Sequence, residues 1–202
     1  MTVIEAIRAG DLEAMQAAIA ADHSAVDERG PDGVSAVLTA LYHRRPEFVE
    51  ALIAAGATVD FFLACALGQL IYVSRFLDMN PDLINQHTPD GWTGLHFAAF
   101  FGHPELAKFL LDRGADPLLR STNRMRNLPL HAAAAAKQAD LVELLLEAGS
   151  PVDATQHGGY TALHSAAQNK DMVTVELLLK FGGDLNTPSD DGKTPADLLR
   201  PA

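Results

Sequence analysis

The 202-residue chain is poor in several things at once. It has one cysteine, Cys65, so no internal disulfide can form and a reducing compartment suits it. Lysine and arginine number 15 against 26 aspartates and glutamates, a net charge of −11. Nucleic-acid binders and proteins drawn to anionic membranes need the opposite balance, so neither partner is expected. No uncharged apolar run approaches the ~18 residues of a membrane span. The opening stretch MTVIEAIRAGDLEAM carries Glu5, Asp11 and Glu13 without a long apolar core, which argues against a secretory signal. A cytoplasmic location is the expectation.

Catalytic templates are missing too. The sequence has no G-x-S-x-G elbow, no P-loop and no dinucleotide-binding glycine pattern. His103 and Glu105 stand two apart and do not reproduce the HExxH helix face. Cys65 lies in the apolar segment LACALG without a basic neighbour to activate it, and reads as a small core residue. No enzyme is expected, and no cofactor or metal.

Aromatic residues make up only 6% of the chain, so their placement carries information. Four of them, Trp92, Phe97, Phe100 and Phe101, fall within GWTGLHFAAFFGH. What surrounds this stretch repeats. Thr93-Gly94-Leu95-His96, Leu128-Pro129-Leu130-His131 and Thr161-Ala162-Leu163-His164 align on their histidines at spacings of 35 and 33. Each is followed by a small-residue segment and an aliphatic run (AKFLLDRGAD, LVELLLEAGS, VELLLKFGGD), and Gly114, Gly149 and Gly182 keep the same spacing. Glycine and aspartate punctuate short alanine-rich helices and leucine-rich second helices. One such helix pair cannot bury its apolar face alone; stacked neighbours can.

The pattern resembles the ankyrin repeat. The family sequence Gly-x-Thr-Pro-Leu-His-x-Ala-Ala, a Gly-His pair, then Val-x-x-Leu-Leu-x-x-Gly-Ala is nearly complete at Gly91–Asp116. An earlier copy at Asp32–Asp60 has Ser35 for the threonine and Leu38 for the histidine. A terser one at Phe61–Asn85 starts without the Gly-x-Thr turn. The resemblance implies one all-α ankyrin-repeat solenoid of stacked helix-turn-helix units with short hairpins. Its expected units are an N-terminal cap over 1–31, repeats over 32–60, 61–87, 88–120, 121–155 and 156–188, and a partial cap over 189–202.

Eight histidines invite a metal reading, which the spacing opposes. One histidine per repeat gives a column with steps of about 10 Å. Zinc needs all its ligands about 2 Å away. The resemblance gives His96, His131 and His164 a structural role instead, tying helix to hairpin.

In ankyrin proteins binding usually falls on the concave side, on hairpin tips and the open face of each first helix. Carried over by position, Trp92, Phe100 and Phe101 occupy those places in one repeat. Asn127 with Ala135-Ala136 occupies them in the next, and Tyr160 with Gln168-Asn169 in the one after. Tyr42 and Leu67 extend the set. Phe97 and Phe109 are expected in the core. Large aromatics at open positions are typical interface anchors. The alternative is that Phe100 or Phe101, with Phe61-Phe62, fills a notch left by the third repeat's missing hairpin. Arg113, Arg120, Arg124 and Arg126 gather around a hairpin two residues longer than the next (LLRSTNRMRN); they read either as a solvated hairpin with ordinary charge scatter or as a basic lip suited to a partner's carboxylate. The expected function is therefore a protein–protein interaction module, monomeric, with Arg124 and Arg126 as specificity elements. A self-associating assembly unit and a small-ligand scaffold are the competing readings.

Overall fold

The computed structural model describes residues 1–200, which divide into two compact units, one of residues 1–63 and one beginning at Ala64. The division falls inside a short helix, α5 (Phe61–Ala66).

The first unit holds α1 (Val3–Ala9), α2 (Leu12–Ala21), α3 (Ala36–Tyr42) and α4 (Pro46–Ala54). Their ends are written in the sequence. Thr2 and Glu5 form a reciprocal capping box on α1, and Gly10, left-handed at φ 80°, ends it. Asp11 caps α2 by accepting from the Ala14 amide at 2.8 Å, and Ser35 does the same for α3 from Leu38 at 3.3 Å. Helix α1 packs on α2 and α3, and α3 on α4. Val3, Ile7, Met15, Leu38, Phe48 and Leu52 are buried between them. The third copy lacks its hairpin, so another group must start α5. Asp60 does so, its carboxylate accepting from the Leu63 amide at 2.8 Å.

The second unit continues with α6 (Leu70–Met79), α7 (Gly94–Phe101), α8 (Pro104–Asp112), α9 (Pro129–Ala135), α10 (Ala139–Glu147), α11 (Ala162–Gln168), α12 (Met172–Lys180) and α13 (Pro195–Leu199). First helices α7, α9, α11 and α13 pack in sequence, and second helices α6, α8, α10 and α12 form a parallel row. The reason is side-chain size. Ala98, Ala99, Ala132, Ala133, Ala166 and Ala167 are buried and let the first helices approach closely. Leu106, Leu110, Leu141, Leu145 and Leu178, on the second row, are buried where it packs on the first. Each fully buried leucine contributes about 1.5–3 kcal/mol relative to exposure.

The loops between helix pairs close with one recurring bond. Gly30 donates to Val34 O in the first unit; Thr88 to Trp92 O, Ser121 to Asn127 O, Gln156 to Tyr160 O and Ser189 to Lys193 O do so in the second, each at 2.8 Å. These loops stay short, and no extended strand forms among the described residues, only isolated bridges at Arg29/Ser35 and Thr155/Thr161. Successive tips in the second unit are joined along the row: Thr122 N to Gly91 O at 2.9 Å, His157 N to Met125 O at 2.8 Å, and Asp190 N to Gly158 O at 2.8 Å. Gly91 permits this closeness. Its φ is 89°, and a Cβ there would collide with the Asn123 amide nitrogen.

Candidate partner-binding surface

Three histidines set the frame on which this surface is built. Nδ1 of His96 accepts from the Thr93 amide at 3.3 Å and lies 2.8 Å from the Thr93 hydroxyl. The His164 ring does the same with Thr161 at 3.1 and 2.9 Å. Leu128 has no hydroxyl to offer, and there His131 still accepts from the Leu128 amide at 3.1 Å. With Nδ1 an acceptor, Nε2 carries the proton and donates across to the next repeat. The acceptors are Asn127 O for His96 (3.1 Å), Ala154 O for His131 (2.8 Å) and Lys193 O for His164 (3.1 Å). Both nitrogens of each ring are thus engaged. Burial lowers the pKa of His96 and of His131 from 6.5 to about 4, against the opposing effect of the bonded carbonyls.

On this frame the fourth repeat carries an aromatic cluster. Trp92 follows Gly91 on the hairpin and leans over α7: its ring centroid lies 5.3 Å from Phe97, 5.3 Å from Phe100 and 5.7 Å from His96. Phe100 and Phe101 meet edge-to-face at 5.1 Å, and Phe101 stacks parallel on Phe97 at 6.5 Å. Phe97 is fully buried, as its position predicts. Trp92, Phe100 and Phe101 are half-buried, and rest on one another instead of standing open in water. Phe109 departs from the expected core position: it is half-buried, with the Arg113 guanidinium 5.4 Å above its ring.

The remaining predicted residues divide. Tyr160 is half-buried, its ring 5.1 Å from that of His164 and its hydroxyl 3.4 Å from the Asp191 carboxylate. Leu67, just past α5, is half-buried, and so is Tyr42 at the end of α3 in the first unit. Asn127 corrects the expectation of an open side chain. It is buried, 6% exposed, its side-chain oxygen accepting from the Ser121 hydroxyl at 2.6 Å while Ser121 also accepts from its amide. In the longer fifth hairpin the closing bond runs from Ser121 to Asn127, an offset of six against four in the other hairpins.

The arginines do not form one lip. Arg113 pairs with Asp78 at 2.8 Å at the end of α8. Arg120 is half-buried and donates to Arg126 O at 2.8 Å and Thr155 O at 2.7 Å. Arg124 and Arg126 are exposed at the tip. The neighbours that Arg120 and Arg126 find there, His157, Gly158, Gly159 and Asp190, were not singled out from the sequence. The spacing of Arg126 to Gly91 and Gly159, 35 and 33, places it in their column and was the available signal.

Helix pairs stacked in register and joined by short hairpins define a helical-repeat protein of the solenoid class. The family model described as ankyrin repeats (3 copies) matches residues 61–156 and 130–198, more than half of the chain. The chain belongs to the ankyrin-repeat family. It is similar to the probable 26S proteasome regulatory subunit p28 of Saccharomyces cerevisiae, at 36% identity over 106 residues, covering 51% of this chain and 45% of that protein. It is also similar to ankyrin repeat and SAM domain-containing protein 6 of Rattus norvegicus, at 32% identity over 56% of this chain and 13% of the relative. A stretch of 71 residues is 34% identical to the human NAD-capped RNA hydrolase NUDT12, covering 35% of this chain and 15% of that enzyme. The chain matches less than half the length of each of these relatives. Ankyrin repeats generally mediate protein–protein interaction and are typically non-catalytic.

Proposed function

We propose that the chain is a protein-binding module whose second unit grips a partner along the hairpin tips and the open ends of the first helices, with Trp92, Phe100 and Phe101 as the apolar anchor. The observation that carries this reading is the partial exposure of three large aromatics, neither buried nor open, in a single repeat. The corresponding helix positions of the next repeat hold only Ala135 and Ala136. Large aromatic rings that stay partly exposed side by side at one place on this face are what an interface hot spot requires. Mutual packing of the rings helps, because an anchor already held in place loses less freedom on binding. Covering what remains open on each ring is worth up to about 1.5–3 kcal/mol, and two or three together support a contact in the roughly micromolar range. Tyr160 extends the surface toward the sixth repeat. A net charge of −11 sets nucleic acid aside as the partner.

The test compares proteins captured by the native chain with those captured by a Trp92→Ser/Phe101→Ser variant, both checked by circular dichroism and thermal melting. A protein held by the native chain and lost by the folded variant is the expected result. Equal capture by a variant that melts as the native chain does would place the binding surface elsewhere. Unfolding of the variant would assign the rings to the core.

A further inference from the structure

Under the long hairpin of the fifth repeat lies a cavity of about 420 Å³, lined among others by Arg120, Arg126, His157, Gly158, Gly159 and Asp190. Arg120 is held in it by its two carbonyl acceptors. Arg126 is different: among the described residues its guanidinium has neither an ion pair nor a hydrogen bond. Its backbone makes the choice of residue conspicuous. The matching position in the other hairpins is Gly33, Gly91, Gly159 or Gly192, with φ between 72 and 89°. Arg126 adopts the same left-handed region at φ 49°, where an L side chain is strained. Arg44, Lys137 and Lys170 also have positive φ, but they lie just past the C-terminal ends of α3, α9 and α11, where the helix dipole favours a cation. Arg126 precedes the N-terminal end of α9, where the dipole opposes one. Neither local conformation nor local electrostatics accounts for arginine here.

We propose that this cavity is a carboxylate site, in which Arg126 and Arg120 bind the carboxylate of an extended peptide segment of the partner. The proposal deepens the partner-binding reading, yet it concerns residues outside the aromatic cluster. Two guanidiniums match a carboxylate geometrically through paired N–H donors. Asp190 forms part of the same lining and fixes the class of ligand further. Opposite two arginines it leaves the site with one excess positive charge. A peptide carboxylate, singly charged and flanked by amide N–H groups that an aspartate can accept from, suits that mixture. A phosphate dianion, with two charges and few donors, does not.

The experiment titrates the full chain, followed by amide NMR of Gly158 and Gly159, with three short probes. Acetyl-Ala-Glu-Ala-amide carries a side-chain carboxylate, acetyl-Ala-Ala-Ala a terminal one, and acetyl-Ala-Gln-Ala-amide none. Saturable shifts in the low-millimolar range are expected for at least one of the first two probes, which tells the carboxylate sources apart, with none for the third. Arg126→Gly, which restores the residue of the other hairpins, and Arg126→Gln should each weaken that binding at least about tenfold. Equal response to the glutamine probe, unchanged affinity in Arg126→Gly, tighter binding of inorganic phosphate, or no shift with either carboxylate up to about 20 mM would each overturn the proposal. Loss of partner capture by the Trp92/Phe101 variant with the carboxylate response intact separates the two readings.

Discussion

The fourth and fifth repeats are built on the same helix pair and the same histidine, and they spend their hairpins differently. The fourth closes over four residues, puts Trp92 at its tip and covers its first helix with Phe97, Phe100 and Phe101. The fifth closes over six, turns Asn127 inward onto Ser121, lines its first helix with alanines and puts arginines at the tip. The frame tolerates both because the groups that hold it are backbone atoms and buried imidazoles. His96 donates to a carbonyl of the fifth hairpin and His131 to one of the sixth, at 3.1 and 2.8 Å, whatever the side chains outside do. Tip and helix-end residues are thus free to vary without altering the stack.

The sharpest way to break the comparison is to exchange the cores of the two repeats at one position. Phe97 and Ala132 both follow the repeat histidine, and both are buried. Phe97→Ala leaves a cavity and also removes the ring beneath Trp92 and Phe101, so a loss of about 3–5 kcal/mol is expected in denaturant unfolding. Ala132→Phe overpacks the space between α7, α9 and α11 and should cost about 1–3 kcal/mol. If Phe97→Ala were nearly neutral, the aromatic cluster would not be anchored in the core.

Acid strikes both repeats in the same way. His96 and His131 have pKa values near 4 in the fold against 6.5 in the unfolded chain, so the unfolded state binds more protons between those limits. The stability they contribute is therefore complete above about pH 6.5 and lost as the pH falls toward 4. At pH 5 the loss is on the order of 2 kcal/mol for each ring. Denaturant melts at pH 7 and pH 5 measure it, and a double His96→Gln/His131→Gln variant should flatten the dependence while lowering stability at pH 7. An unchanged pH slope in that variant would mean that other groups drive acid unfolding.

Substitution on the aromatic surface is expected to be milder. Trp92 is half-buried, so Trp92→Ser should cost about 1–2 kcal/mol, well short of a fully buried tryptophan. A larger loss, comparable with Phe97→Ala, would move Trp92 from the binding surface into the core.

Much of this was legible beforehand, for a physical reason. A threonine and a histidine three apart form a capping box through local bonds, so the histidine's return at 35 and 33 residues, with the threonine in the first and last of the three copies, announces both the helix starts and the stack. The substitute cap at Asp60 and the inward turn of Asn127 were not legible. Each depends on where a missing or lengthened hairpin leaves the chain, and Ser121 faces Asn127 only once that loop has closed. The half-burial of Trp92 was hidden as well, because ring packing is decided by neighbours on the helix and not by the hairpin position. Arg120 reaches the Thr155 carbonyl 35 residues further along the chain, a contact that spacing alone does not reveal. The column of Gly33, Gly91, Gly159 and Gly192 broken by Arg126, in contrast, was in plain view.

That break supplies the smallest effect and the one with an unusual sign. Replacing an arginine that bridged or braced the fold should destabilise it. Arg126 does neither with its side chain, and its left-handed backbone carries a strain that glycine lacks, about 1–2 kcal/mol for an L-residue. Glycine returns part of that gain through its greater freedom in the unfolded chain, about 0.4–1 kcal/mol. Arg126→Gly is therefore expected to raise stability by somewhat under 1 kcal/mol, a rise in melting midpoint of about 1–3 °C for a chain of this size. Arg124→Gly, two residues away on the same exposed tip and outside the left-handed set, should gain nothing. A residue held at a cost to the fold, whose removal strengthens the fold while weakening the carboxylate response, has its reason in binding. A fall in melting midpoint for Arg126→Gly would instead make the guanidinium a structural brace and return the fifth hairpin to an ordinary connection.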